Sequence, residues 1–222
     1  MNVAVYSGSF NPLHIGHLAI IKYMIEVAGF DMVYLIVSPK NPLKDSISSD
    51  SGLARYNAAV EAVSRHFDIP NVACCGDDMP PPARGCSSRR SQAAGVIGAT
   101  ATSGSPRVRV DDIELTMPEP HYTIRTLKAL HEREPYNAFT LIMGADNLAC
   151  IRKWKDYQSI LTDFGIAVFP REGYEMASLR QDLLTENSTY KIRLLDAPLV
   201  TISSTEIREA LKRGEDTSQF MM

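Results

Sequence analysis

The chain has no run of 18 or more apolar residues, so no transmembrane helix is expected. It is poor in cysteine. Cys74, Cys75, Cys86 and Cys150 form no Cys-x-x-Cys pair and fit no zinc spacing, which points to free thiols in a reducing cytoplasm. Charge of one sign is also scarce: 23 basic and 26 acidic side chains leave a net charge of −3. That balance excludes a broadly basic nucleic-acid binder and still allows a local cationic pocket. Met1-Asn2-Val3-Ala4-Val5 runs straight into strand-like sequence without a basic region and long apolar core, so no signal peptide is expected. Neither a Gly-x4-Gly-Lys-Ser/Thr loop nor a Gly-x-Gly-x-x-Gly fingerprint occurs, which excludes a standard P-loop and a standard dinucleotide motif.

What is present is an ordinary globular composition, 45% apolar and 22% charged over 222 residues. A chain of this length buries about 70% of its unfolded surface and needs no disulfide or metal to fold. Apolar runs alternate with helical patterns. Val3 to Tyr6, Met32 to Val37, Phe139 to Met143 and Gly165 to Phe169 read as buried strands, and Val108 to Leu115 and Leu194 to Ile202 as strand-like. Between them, near-3.6 periodicity predicts helices over Ile15 to Ala28 with Gly29 as the stop, over Leu53 to Phe67 with Leu53, Tyr56, Val60 and Val63 on one face, and over Thr123 to Arg133, Tyr157 to Leu161, Met176 to Leu184 and Ser204 to Arg213. Strand, helix, strand, repeated, predicts an α/β architecture: a Rossmann-like, doubly wound parallel sheet covered on both faces. Ligands then belong at the carboxyl ends of the strands. Cys74 to Pro106 breaks the rhythm with Gly, Ser, Ala, Pro and Arg and no sustained period, and reads as a flexible insertion. The expected organisation is one domain over 1–222, with a core of 1–73 and 107–213, an insertion at 74–106 and a tail at 214–222.

Two segments carry chemistry. Ser7-Gly8-Ser9-Phe10-Asn11-Pro12-Leu13-His14-Ile15-Gly16-His17 follows a strand and opens a helix. Small residues let backbone N–H groups approach an anion, and the helix N-terminus adds its positive end. His14 and His17 share a helical face beside that site and can donate to phosphate oxygens. Near the other end, Ile202-Ser203-Ser204-Thr205-Glu206-Ile207-Arg208 again passes into a helix. Ser203 or Ser204 can cap it, and free N–H groups with Arg208 can hold outer phosphates.

Gly8-Ser9-Phe10-Asn11-Pro12 with His14-Ile15-Gly16-His17 resembles the signature of the nucleotidylyltransferase superfamily, shared with class I aminoacyl-tRNA synthetases, and Ile202 to Arg208 resembles its second signature. Four further segments, in order, resemble those of the bacterial nicotinate-nucleotide adenylyltransferases: Pro39-Lys40-Asn41-Pro42-Leu43-Lys44, Pro120-His121-Tyr122-Thr123-Ile124-Arg125-Thr126-Leu127, Met143-Gly144-Ala145-Asp146-Asn147-Leu148 and Arg152-Lys153-Trp154-Lys155. The resemblance covers about residues 1–73 and 107–213. It implies adenylyl transfer from ATP to nicotinate mononucleotide, giving nicotinate adenine dinucleotide and pyrophosphate. It implies that the backbone of Gly8, Ser9 and Phe10, with His14 and His17, holds ATP, joined at the second helix start by Ser203, Thr205 and Arg208. Lys44 would neutralise phosphate charge, Thr123 and its neighbouring amides would meet the pyridine carboxylate, Trp154 would stack on the pyridine, and Asp146 would bind ribose hydroxyls. His14, His17, Lys44 and Arg208 would be the catalytic set. Magnesium would bridge the ATP phosphates, with no protein ligand assigned to it. The expected partners are these small molecules, with no nucleic acid and no membrane; a homo-oligomer is left open.

Chemistry agrees with that expectation. The acceptor's phosphate is already anionic at neutral pH, so no general base is required; alignment and charge stabilisation suffice. Two residues depart from the family pattern: Asn11 stands where Asp is more frequent, and His121 where Ser precedes Tyr-Thr. Other readings are an adenylyltransferase of the same fold acting on nicotinamide mononucleotide or phosphopantetheine, and a non-catalytic nucleotide sensor. A class I synthetase is excluded by size and by the missing basic balance.

Overall fold

The computed structural model describes residues 1–39, 52–67, 107–199 and 202–222. The 74–106 insertion and Lys44 lie outside the described residues. Among the described residues, six strands form one sheet: β1 (Asn2–Gly8), β2 (Met32–Val37), β3 (Val108–Asp111), β4 (Ala138–Gly144), β5 (Ile166–Phe169) and β6 (Ile192–Leu194). Their order is β3-β2-β1-β4-β5-β6 and every pairing is parallel. Strand order reverses between β1 and β4, so the crevice where their carboxyl ends diverge is the natural ligand site of this Rossmann-like fold.

The helices are α1 (Ile15–Glu26), α2 (Gly52–Phe67), α3 (Ile113–Thr116), α4 (Thr123–Arg133), α5 (Ala145–Ala149), α6 (Tyr157–Ser159, running on as a π-turn through Phe164), α7 (Met176–Glu186) and α8 (Ser204–Lys212). Side chains alternate across the strands and build one apolar layer per face. Ala4 and Tyr6 of β1 join α1 residues Ile20, Ile21 and Met24 and α2 residues Ala59, Ala62 and Val63. Val3 and Val5 face the other way, onto Ile124, Leu127 and Leu130 of α4 and Leu148 of α5. Each fully buried aliphatic side chain contributes about 1.5–3 kcal/mol. Gly29 ends α1 as expected: it adopts φ +78°, and Phe30 N–H donates back to Met24 O at 3.1 Å, a closure that favours glycine.

Three elements differ from the sequence expectation. The run Val108 to Leu115 is a strand only to Asp111 and then turns into α3. The turn is made by the Asp111 carboxylate, which accepts from Ile113 N–H at 3.1 Å and pairs with Arg133. Of the run Leu194 to Ile202, only Leu194 is strand among the described residues, where it ends β6 (Ile192–Leu194); residues 195–199 and 202 are not strand. The buried stripe of α2 is Arg55, Ala59, Ala62 and Val63, whereas Leu53 is 60% exposed. The 214–222 tail packs against the core: Thr217 is buried, Met222 joins the apolar layer of α1, and Met221 bridges antiparallel to His14. Among the described residues, no helix is long and apolar enough to cross a membrane.

Candidate active site

The first motif occupies the exit of β1. His14 is the N-cap of α1, and the cap is built from two imidazoles. Gly16 N–H donates to His14 Nδ1 at 3.2 Å, and His14 N–H donates to His17 Nδ1 at 3.1 Å. Each Nδ1 is therefore an acceptor, so each neutral ring carries its proton on Nε2. Burial, reinforced by the Arg171 charge, lowers the His14 pKa to about 4. Burial, then His14 and Arg171, holds His17 well below the ordinary histidine value. At pH 7 both rings are neutral Nε2–H donors at the positive end of a twelve-residue helix. Their centroids are 3.8 Å apart.

Behind them stands an aromatic wall. Phe10 meets Tyr6 edge-on at 5.4 Å and His17 at 5.1 Å, and Tyr6 meets Phe169 at 6.2 Å. Burial raises the Tyr6 pKa, so this ring stays neutral. Gly8 is where the Phe10 ring lies close: a Cβ there would sit 3.1 Å from Phe10 Cζ. Phe10 itself has φ +42°, a left-handed conformation that costs a non-glycine residue about 1 kcal/mol.

The second motif is fastened to the first. Ser204 Oγ donates to Pro12 O at 3.1 Å and Arg208 Nη1 to Asn11 O at 2.6 Å. Arg208 Nη2 also donates to Thr205 Oγ1 at 3.0 Å. Asn11, one of the two departures from the family pattern, is thus held by its backbone carbonyl. Ser203 caps α8: Glu206 N–H donates to Ser203 Oγ at 3.2 Å, and Ser203 N–H and Oγ donate to Glu206 Oε2 at 2.9 and 2.8 Å. The Ser203 hydroxyl is therefore committed to the helix cap, and those same bonds lower the Glu206 pKa.

The exits of β4 and β5 add Asp146 and Arg171. Arg171 Nε lies 3.8 Å from Asp146 Oδ1, and its guanidinium sits 5.0 Å over the Phe169 ring. A Cβ at Gly144 would overlap Asp146 Oδ1 and come within 3.1 Å of Arg171 Nε, so only glycine leaves this carboxylate in place. The other end of the crevice belongs to the opposite layer, where Tyr122 and Trp154 pack against the α4 and α5 core. Thr123 is the first residue of α4, and the Tyr122 side chain does not cap it. Trp154 follows a short 3-10 turn, Ile151–Lys153. Its Nε1 is buried and has no hydrogen-bond partner among the described residues, as is true of His121 Nδ1. Glu186 pins both flanks of the Trp154 segment, accepting from Arg152 Nε at 3.0 Å, Tyr157 OH at 2.5 Å and Tyr190 OH at 3.2 Å.

The structure thus joins Gly8, Ser9, Phe10, His14, His17, Thr205 and Arg208 into one assembly, with Asp146 linked through Arg171. Thr123, at the start of α4, and Trp154 belong to the layer on the opposite face of the sheet. Two residues escaped the sequence reading. Arg171 had a usable signal, since it lies two positions beyond a predicted strand. Arg55, whose guanidinium reaches the Ser9 carbonyl, had none. Among the described residues, no group of three or more His, Cys, Asp and Glu side chains could hold a metal.

A family model described as cytidylyltransferase-like matches residues 5–210. A probable nicotinate-nucleotide adenylyltransferase of Flavobacterium psychrophilum is 34% identical over 100% of this chain and 92% of its own length. One from Bacteroides fragilis is 34% identical over 98% of this chain and 85% of its own. The fold is similar to that of Plasmodium falciparum nicotinic acid mononucleotide adenylyltransferase solved with NaAD, at a TM-score of 0.68 and 16% identity, covering 99% of this chain and 90% of the other.

Proposed function

The chain belongs to the cytidylyltransferase-like family and, within it, to the nicotinate-nucleotide adenylyltransferases, and from that premise we propose that it transfers the adenylyl group of ATP to nicotinate mononucleotide, releasing pyrophosphate. In that reaction an acceptor phosphate oxygen bonds to the α-phosphorus while the bond from that phosphorus to the bridging oxygen breaks. Negative charge builds on the phosphoryl oxygens and the leaving pyrophosphate. The observation that carries the reading is the reciprocal histidine cap. It fixes two neutral Nε2–H donors at a helix N-terminus beside the strand-order switch, a preorganised arrangement for charge that develops during transfer.

The remaining roles follow the chemistry of each group. Backbone N–H groups of the first loop, the start of α8, Thr205 and the donors of Arg208 not used on Asn11 and Thr205 face the triphosphate. Ser203 contributes by building the helix start. Arg171 adds positive charge and reinforces burial in keeping the histidines neutral. Lys44 supplies further cation. The open first turn of α4 at Thr123 suits a pyridine carboxylate better than an amide, Trp154 offers a face for the ring, and Asp146 accepts from ribose hydroxyls. Magnesium enters as the counter-ion of ATP, part of the substrate, and the groups placed beside the triphosphate, N–H and hydroxyl, suit phosphate rather than metal. The reaction runs in the cytoplasm, with no nucleic acid or membrane partner, in one catalytic domain carrying the 74–106 insertion.

A pyrophosphate-release assay with ATP and a panel of acceptors tests this. Turnover with nicotinate mononucleotide, well above that with nicotinamide mononucleotide or phosphopantetheine, is expected. Turnover with phosphopantetheine alone would refute it, and ATP binding without any turnover would favour a sensor.

A further inference from the structure

Arg55 opens the α2 buried stripe and is 6% exposed. Its guanidinium donates to Ser9 O at 2.6 Å, Ser38 O at 2.8 Å and Pro39 O at 2.8 Å. One planar fork thus binds the loop after β1 and the chain leaving β2. The same two strand ends are also joined by Ser38 N–H to Gly8 O at 2.9 Å and by the Ser7 and Ser38 hydroxyls at 3.1 Å.

The bond to Ser9 O has a stereochemical consequence. The Ser9–Phe10 peptide is trans, so its C=O and N–H point in opposite directions. With Ser9 O turned toward α2, the Phe10 N–H is turned away from it. That N–H has no acceptor among the described residues. Phe10 is also the residue with φ +42°, so the loop here is held against its intrinsic preference. The hold is two-sided: Arg55 fixes Ser9 O from α2, and Arg208 fixes Asn11 O from α8.

We propose that Arg55 is a positioning residue, which orients the Ser9–Phe10 peptide so that the Phe10 N–H is presented to a phosphate oxygen of ATP. Arg55 does this without touching the nucleotide. A lysine keeps the charge and loses the fork, so it cannot reach three carbonyls in fixed geometry. The inference rests on the ATP site proposed above, and its test is separable from the identity of the acceptor.

Seven phenylalanines make selective 15N labelling practical. Wild type and Arg55→Lys are titrated with α,β-methylene-ATP, following the Phe10 amide. In wild type that resonance should move downfield in step with binding; a resonance that stays put while the analogue binds would overturn the proposal without any variant. In R55K the shift should shrink and analogue affinity should fall about tenfold or more. In turnover, R55K should lower kcat/KM for ATP by about 10- to 100-fold, the scale of one misplaced donor, and change KM for the acceptor less than threefold. Equal losses for both substrates, or none, would show a merely structural arginine. If R55K does not fold, Arg55→Gln, which keeps two N–H donors and loses the fork, takes its place in the same titration and turnover assays, with the same expected and contrary results. If wild type binds the analogue and moves the Phe10 amide but transfers nothing to nicotinate mononucleotide, the acceptor assignment fails and this inference stands.

Discussion

Neutral burial of His14 makes a quantitative prediction about acid stability. Its pKa is about 4 in the folded chain against an ordinary 6.5, and the ring is 3% exposed. Between those two values the unfolded chain binds more protons than the folded one, so stability falls as pH falls. From pH 7 to pH 5 the linkage integral for this one ring amounts to at most about 2 kcal/mol. That corresponds to a drop of about 4–8 °C in Tm for a domain of this size. Carboxylates titrate in the same range, so the comparison is His14→Asn, which keeps an N-cap acceptor and removes the titration. Denaturant melts of both proteins at pH 7 and pH 5, without substrate, isolate the term. Wild type should lose about 2 kcal/mol more than H14N over that interval. Equal losses would refute the burial argument, as would a His14 imidazole midpoint near 6.5 by NMR.

Three other perturbations follow from the geometry. Trp154→Ala should weaken mononucleotide binding about tenfold or more, with ATP binding kept within threefold by calorimetry; equal loss of both would make the indole a packing residue. Gly144→Ala forces Asp146 and Arg171 aside, so kcat/KM should fall about tenfold or more, the cost of displacing positioned groups, while far-UV circular dichroism stays unchanged. Glu206→Ala removes half of the α8 capping box and should lower Tm slightly in thermal melts at pH 7. Because hydrogen bonds hold its pKa down, the Glu206 contribution is present above the ordinary carboxylate pKa and disappears as pH falls through the lowered one, so wild type and E206A should converge in acid.

Much of this was readable along the chain because parallel strands buried on both faces appear as continuous apolar runs, as in Met32 to Val37 and Phe139 to Met143. Both signature segments were equally local in their helix starts, a capping side chain at His14 or Ser203 followed by a helix, although only the first follows directly on a strand. What failed was non-local. Asp111 ends β3 because Arg133, 22 residues on, holds its carboxylate. Arg55 looks like a solvated charge in sequence, and its burial is compensated by carbonyls 16, 17 and 46 residues away. That arginine shifted the buried stripe of α2 by one position from the face predicted through Leu53. Arg171 shows itself only in the fold, where it meets Asp146, 25 residues back, and bears on His14 and His17 at the other end of the chain. For Trp154 the sequence supplies the ring and the fold supplies the brace, Glu186, which stands 32 residues further on.

The most direct test of adenylyl transfer is 31P NMR of the enzyme with magnesium, ATP and nicotinate mononucleotide. The account predicts that the ATP triphosphate and the acceptor monophosphate signals disappear together, replaced in equal amounts by free pyrophosphate and a dinucleotide pyrophosphate diester. ADP or orthophosphate as the product, or an acceptor monophosphate left unchanged while ATP is consumed, would contradict it.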